Sequence, residues 1–454
     1  MQADTRSLGK ALLLTAAMAV LYFFLAYQTE RTEFWKLIGI VASLFLLTFW
    51  LLRIANKRDR NLLLGTGILF RLIFIVAIPA LSQDYFRFIW DGLLLMQGIN
   101  PYLFTPEMLM EIPGFPSELT RELYQGMGSL SASHYSNYPP LNQLFFRLAA
   151  GMNDITGSLI IMRLMLLGGD LLVLVYGRKL LRALHLSPNY IWWYFLNPFI
   201  ILECSGNLHF EGVMAAFLIM ALYFLNNKKY LLSAVLLGMS VSVKLLPLMF
   251  LPLILWHLIS AEGRTEIRSW LKATSYALTT LLISLGGFIP FLSEELIKNY
   301  GETLDLWFHK FEFNASIYYL IREVGYLRKG YNIIETVGDI LPLLIIAAIL
   351  LLTFVNKNSD IRDLIRNMMW AATIYLILST TVHPWYLVTP LVLSLFTSYR
   401  YMVIWSALVF LSYYAYNQPS YRESALLLWF EYVPVVSLIL WEIFRKPLAK
   451  ASSN

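Results

Sequence analysis

A single cysteine, Cys204, leaves this chain without an internal disulfide and without the thiolates of a cysteine-ligated zinc site. Charge is scarce as well. Only 14% of the 454 residues are Asp, Glu, Lys or Arg, where a soluble domain carries roughly 25%, and that deficit excludes a water-soluble globule. No repeat of fixed period is present, and the two halves show no matching broken helices, which weighs against an inverted-repeat transporter. No stretch is of low complexity; the tail Lys-Ala-Ser-Ser-Asn reads as a solvated end. The first apolar run lacks a small-residue cleavage site and is followed at once by more apolar runs, so it reads as a retained anchor.

What fills the chain instead is hydrocarbon: 58% of residues are hydrophobic and 15% aromatic. Continuous runs near the 20 or so residues that cross a bilayer select helices over barrel strands. The expected architecture is one all-α transmembrane bundle over residues 1–454. Spans are expected at about 11–29, 36–54, 62–82, 158–177, 190–205, 211–225, 231–244, 246–258, 274–292, 333–354, 366–382, 385–398, 401–417 and 425–444. The pair at 231–258, interrupted by Lys244 and Pro247, could be one re-entrant unit, so the count is 12 to 14.

With the N-terminus inside, basic clusters collect on the cytoplasmic side: Arg53/Lys57/Arg58/Arg60, Arg178/Lys179/Arg182, Lys228/Lys229, Arg264/Arg268/Lys272, Lys357/Arg362/Arg366 and Arg445/Lys446/Lys450. The inside segments hold 21 Lys and Arg against 11 in the longer outside segments, the positive-inside asymmetry. The net charge of +6 is thereby explained by topology and calls for no nucleic-acid partner. Both termini fall on the cytoplasmic side. Two large loops, 83–157 and 293–332, fall outside with His134, His209, His309 and His383.

The first outer loop opens with Ser82-Gln83-Asp84-Tyr85-Phe86-Arg87-Phe88-Ile89-Trp90-Asp91-Gly92. At helical spacing Asp84, Arg87 and Asp91 form one polar stripe on an aromatic surface helix. A lone Asp there reads as an interfacial anchor or a helix cap; the set reads as chemistry, with a carboxylate able to take a proton from an attacking hydroxyl. Farther along, His134 to Gln143 (HYSNYPPLNQ) combines aromatic platforms with amides and hydroxyls. That composition suits carbohydrate, and it equally suits a turn fixed by Pro139 and Pro140.

Glu203, Asn207, His209 and Glu211 lie where the fifth span leaves the membrane, and ionisable residues at that depth point to function. His209 and Glu211 have no third metal ligand at familiar spacing. Lys244 sits at the outer end of a short span, placed either to meet a lipid phosphate or simply to snorkel. Arg71, Arg163 and Asp170 lie at membrane depth, and Asp170 is expected to pair with one of the two arginines and fix the bundle. Trp307 to Tyr319 and His383-Pro384-Trp385-Tyr386 bring further aromatic and polar groups to the outer side, where interfacial belts are the ordinary explanation. Asn314-Ala315-Ser316 fits a glycosylation sequon, a short signal.

Taken together and in order, these segments resemble the GT-C superfamily of membrane-embedded glycosyltransferases. The resemblance is to the polyprenyl-phosphate-mannose-dependent mannosyltransferases, both bacterial α-mannosyltransferases and glycosylphosphatidylinositol mannosyltransferase I. It rests on Asp84, Asp91-Gly92, Gly98-Ile99-Asn100-Pro101-Tyr102, Tyr138-Pro139-Pro140, Asn197-Pro198 with Glu203, Gly206-Asn207, His209 and Glu211, then Lys244 with Pro247, Phe313 to Ser316, and Pro384-Trp385-Tyr386. Three departures stand out: the acidic motif has one Asp where a pair is common, Glu211 replaces an Asp, and two helices precede the acidic loop's span where many members have one.

The resemblance implies an inverting transfer of a hexose, mannose above all, from a polyprenyl phosphate to a glycolipid, glycan or protein hydroxyl. In that picture Asp84 is the base, and Lys244, Arg87 and His383 face the donor phosphate. Asp91, Asn100, Tyr102, Tyr138, Asn207, His209, Glu211, Trp385 and Tyr386 hold sugar or acceptor. No cofactor is expected, and the single Asp implies metal independence. The bacterial-type motifs imply a bacterial inner membrane, with chemistry on the outer face. The rivals are an O-antigen polymerase or ligase, whose large loop usually comes late in the chain, and a non-catalytic flippase, which needs no base.

Overall fold

The computed structural model describes residues 2–55, 59–356, 358–418 and 421–445; Lys57, Arg58, Lys357, Lys446, Lys450 and the tail lie outside them. The described chain is helical. Helices α1 (Gln2–Tyr27), α2 (Phe34–Ile54) and α3 (Arg60–Ile73) lead into the outer-loop helices α4 (Asp84–Met96), α5 (Pro106–Met110), α6 (Glu118–Ala132) and α7 (Pro140–Ala150), and then into the long α8 (Ile155–Ala183).

Among the described residues, five helices are long and apolar enough to cross a membrane: Leu8–Tyr27, Phe34–Ile54, Ile155–Ala183, Ile334–Phe354 and Ala425–Phe444. A sixth is a broken pair, Pro198–Gly206 and Glu211–Asn226, bent by 115°. Several other runs expected as spans are shorter helices. The run at 62–82 ends its helix at Ile73, and the run at 401–417 tightens into 3₁₀ turns after Leu408. The pair at 231–258 breaks at Lys244, between Tyr230–Val243 and Leu251–Glu262. A continuous helix of full length is thus present for some of the expected runs, and broken or shorter helices for others. Leucines and phenylalanines such as Leu13, Leu46, Leu278, Leu282, Leu343, Leu351 and Phe444 lie exposed on the long helices. Water would penalise such a band, and lipid accommodates it. The protein is a multi-pass, all-helical membrane protein.

The membrane-depth charges are paired as burial demands. Arg71 donates to Asp170 at 2.7 Å and to the carbonyls of Gly67 and Phe195, while Tyr194 donates to the other Asp170 oxygen. Among the described residues Arg163 makes no ion pair; its guanidinium caps the carbonyls of Ile75, Ser205 and Gly206. The last two end the broken helix, where orphan carbonyls need a donor.

The first outer loop is a small helical subdomain with its own core. Phe88 of α4 stacks on Phe146 of α7 at 4.6 Å, and Tyr138 and Phe210 close edge-on around them. The Asp91-Gly92 pair explains the close approach. A Cβ at Gly92 would lie 2.3 Å from the Phe146 carbonyl oxygen, so only glycine lets α4 and α7 touch there. Gly92→Ala is expected to force the helices apart at a cost of about 1–3 kcal/mol, the usual range for overpacking, read as a lowered thermal midpoint of the purified protein.

The second outer loop is tied to the helix break near His383. Phe313 and Thr381 form an isolated parallel bridge: Phe313 donates its amide to Thr380, and Val382 donates to Phe313. Asn314 follows in a left-handed conformation (φ 47°) and is fully buried, its amide nitrogen donating to Glu431. The sequon asparagine is therefore a packing residue inaccessible to glycan transfer.

Candidate active site

Asp84 is the first residue of α4; the Gln83 side chain does not cap the helix, and the Asp84 amide donates to Ser82 Oγ at 3.2 Å. Its carboxylate remains 36% exposed, and behind it stands His209, whose Nε2 lies 3.6 Å from Asp84 Oδ2. The other ring nitrogen of His209 lies 3.2 Å from Glu203 Oε2. Tyr413 and Asn207 in turn donate to Glu203, at 2.8 and 3.1 Å. Glu203, His209 and Asp84 thus form a chain that runs from a fully buried carboxylate to one that meets solvent.

The broken helix makes this chain possible. Residues Ile201–Gly206 are wound as a π-type turn, a widening common at functional sites. Leu208 then takes a positive φ of 66°, turning the backbone so that His209 points back toward α4. Asn207 and His209 both donate backbone amides into the preceding turn, to Leu202 and Glu203.

Aromatic rings wall the site. His209 packs on Trp385 at 3.7 Å, Trp385 stacks on His383 at 4.5 Å and nearly parallel, and Phe313 covers the other side of His383 at 5.1 Å. The His383 Nδ1 is buried and without a partner. Tyr138 and Tyr386, both half-buried, lie within electrostatic reach of Asp84 and Glu211. Burial pushes the Asp84 carboxyl up, but the adjacent His209 and the electrostatic influence of His383 and Lys244 more than offset it. The net effect holds the group below its ordinary value of 3.8.

A groove with room for about 50 Å³ borders the site. Gly338, Leu341, Pro342 and Ile345 of the spanning helix Ile334–Phe354 form one wall, and Trp307, Tyr375, Leu378, Ser379, Thr380, Thr381 and Tyr386 form the rest. Tyr386 belongs to both the groove and the surroundings of Asp84.

Several residues expected to touch substrate are already committed to partners within the protein. Arg87 and Asp91 are buried and bound to one another at 2.8 Å. Asp91 also accepts from Ser136 at 2.5 Å and Gln143 at 2.9 Å, and Arg87 donates to the carbonyls of Ser131 and His134. They clamp the loop after α6 onto α4, and their charges answer one another.

Tyr102 is fully buried and donates to the Tyr138 carbonyl, while Asn100 caps the Tyr102 amide and reaches Phe291. These two hold the Gly-Ile-Asn-Pro-Tyr turn. Asn207 is committed to Glu203 and Tyr413. Lys244 is partly exposed, as a phosphate ligand must be, yet it already ion-pairs with Glu211.

The sequence reading passed over Glu203 as the partner of His209, and over Arg31 and Gln83, which meet beside Asp84. Arg31 lies in the turn between α1 and α2, far from any motif, and only tertiary structure brings it there. Among the described residues, no three His, Cys, Asp or Glu side chains converge as metal ligands.

A family described as alpha-(1->6)-mannopyranosyltransferase, N-terminal domain, matches residues 6–260 of the chain, more than half its length. The chain is 20% identical over 359 residues to alpha-(1->6)-mannopyranosyltransferase A of Mycobacterium tuberculosis, an alignment covering 75% of this chain and 66% of that protein. It is 29% identical over 177 residues to GPI mannosyltransferase 1 of Debaryomyces hansenii, covering 38% of each. The chain thus spans just under two thirds of the first relative's length and little over a third of the second's. The matched region contains Asp84, Glu203, His209, Glu211 and Lys244. It agrees with the resemblance carried by the motifs, and the chain belongs to the alpha-(1->6)-mannopyranosyltransferase family.

Proposed function

We propose that the protein is an inverting mannosyltransferase that moves a mannosyl residue from a polyprenyl phosphate to an acceptor hydroxyl at the outer face of the membrane. The observation that carries this reading is Asp84: a carboxylate open to solvent, backed by His209 and Glu203, and next to a groove walled by a spanning helix. Asp84 takes the proton of the acceptor hydroxyl as its oxygen bonds to the anomeric carbon. The bond from that carbon to the phosphate oxygen breaks, and its electron pair leaves with the lipid phosphate. His209, held by Glu203, fixes the orientation of Asp84, and Trp385, Tyr138 and Tyr386 supply faces for sugar stacking.

The groove along Ile334–Phe354 suits the prenyl chain, which can enter sideways from lipid. No metal is required, because side-chain cations can meet the charge developing on the phosphate. The positive-inside bias supports placing this site away from the cytoplasm, and the mycobacterial relative supports a bacterial inner-membrane location. The acceptor is a glycolipid, a glycan or a protein.

The test uses the purified protein in lipid nanodiscs with membrane glycan extract, offered either polyprenyl-phosphate mannose or a nucleotide-linked mannose. Mannose is expected to pass only from the lipid. Use of the nucleotide sugar would overturn the donor assignment.

The pH dependence follows from Asp84. Its carboxylate is the working form, its affinity for a proton is lowered, and protonation as pH falls removes the base. The acid limb that Asp84 imposes on kcat/KM is therefore expected below the ordinary value of 3.8. A limb near neutrality that vanished in an Asp84 variant would contradict this.

A further inference from the structure

The cations near the site differ in whether their charge is already answered. Lys244 is paired with Glu211, Arg87 with Asp91 and Arg71 with Asp170, while Arg163 is spent on three carbonyls. Arg31 differs. Its guanidinium donates to the neutral Gln83 Oε1 at 3.3 Å and lies 5.0 Å over the ring of Tyr416. Among the described residues it makes no ion pair. The neighbouring carboxylates are otherwise engaged: Glu33 is paired with Lys36, and Glu30 accepts from Thr32.

The placement of Arg31 is specific. Gln83 immediately precedes Asp84, and its amide nitrogen donates to the Met127 carbonyl at 2.9 Å. The amide is thereby held with its oxygen toward Arg31. Tyr416 lies within electrostatic reach of both Arg31 and Asp84. A half-buried guanidinium with uncompensated charge and a fixed hydrogen-bond anchor is therefore stationed one residue from the candidate base. Planar and always charged, it is suited to binding phosphate oxygens through two parallel N–H bonds.

We infer that Arg31 is a phosphate-binding residue of this site, contacting the phosphate of a lipid substrate. The inference rests on the lipid-phosphate reading above. It shifts the main cationic contact away from Lys244, whose charge Glu211 already neutralises. Two sources share this chemistry: the donor's leaving phosphate, and a phosphodiester in an acceptor lipid's headgroup.

The test measures binding of three probes to the full-length protein in nanodiscs: polyprenyl phosphate, polyprenol and phosphatidylinositol. Wild type is expected to prefer polyprenyl phosphate over polyprenol, and Arg31→Ala is expected to lose roughly tenfold or more of that preference, the scale of a charge-assisted hydrogen bond. Arg31→Lys should recover part of it. Gln83→Ala, which removes the anchor of Arg31, should lose part of it and serves as a second variant if Arg31→Ala misfolds, with thermal midpoints as the control.

A loss confined to phosphatidylinositol would place Arg31 on the acceptor phosphate, and a loss confined to polyprenyl phosphate would place it on the donor. If Arg31→Ala keeps both affinities at wild-type values, the inference is overturned while the donor reading survives. If wild type itself does not distinguish the phosphate from the alcohol, both fall.

Discussion

Asp84→Asn is expected to lower the rate of mannosyl transfer by about 10²- to 10⁴-fold, the range that a positioned general base contributes, with donor binding nearly unchanged. The amide keeps the shape of the side chain and its place at the start of α4, so the fold should tolerate the change. What is lost is the acceptor of the hydroxyl proton. The neighbouring carboxylates cannot substitute: Glu203 is buried and bonded to Tyr413, Asn207 and His209, and Glu211 is buried against Lys244. A rate parallel to wild type would remove Asp84 from the mechanism. Single-turnover kinetics with labelled donor separates the chemical step from binding.

Asp91→Ala is expected to act on stability instead. Asp91 is fully buried and answers the charge of Arg87, which is itself buried. Removing one member of such a pair leaves an uncompensated charge, which costs about 3–5 kcal/mol. Ser136 and Gln143 would lose their shared acceptor at the same time. The first outer loop should then loosen, with a lower thermal midpoint and faster proteolysis between α6 and α7. A variant with wild-type stability and only a raised KM for substrate would instead make Asp91 a sugar ligand.

The contrast between these two aspartates shows where sequence is informative. Helical spacing correctly groups Asp84, Arg87 and Asp91 on α4 and marks the helix as unusual. It cannot tell which side of the helix faces the protein, because both sides are aromatic and the loop that covers Asp91 returns some 45 residues later through Ser136. The all-helical membrane architecture was legible from composition and apolar runs. The places where helices break were not, because proline and local unwinding interrupt runs that hydropathy alone draws as continuous.

That Asp170 would pair with one of two arginines was also readable, since a buried charge must find its opposite; the partner is Arg71. Arg163 escaped that logic by finding carbonyls, an outcome that depends on the broken helix ending beside it. His209 and Glu203 stand six residues apart with no regular periodicity. Only the π-type turn and the positive φ at Leu208 bring them into contact. Arg31 belongs to no motif, and its relation to Asp84 exists only in three dimensions.

With Asp84 as the proposed base and a lipid phosphate as the proposed leaving group, transfer is a single displacement at the anomeric carbon. The measurement that tests this most directly is the anomeric configuration of the product, read by nuclear magnetic resonance after transfer from β-linked polyprenyl-phosphate mannose. The account predicts an α-mannoside formed in step with release of polyprenyl phosphate. A β-mannoside, or a mannosyl group trapped covalently on the protein, would contradict it.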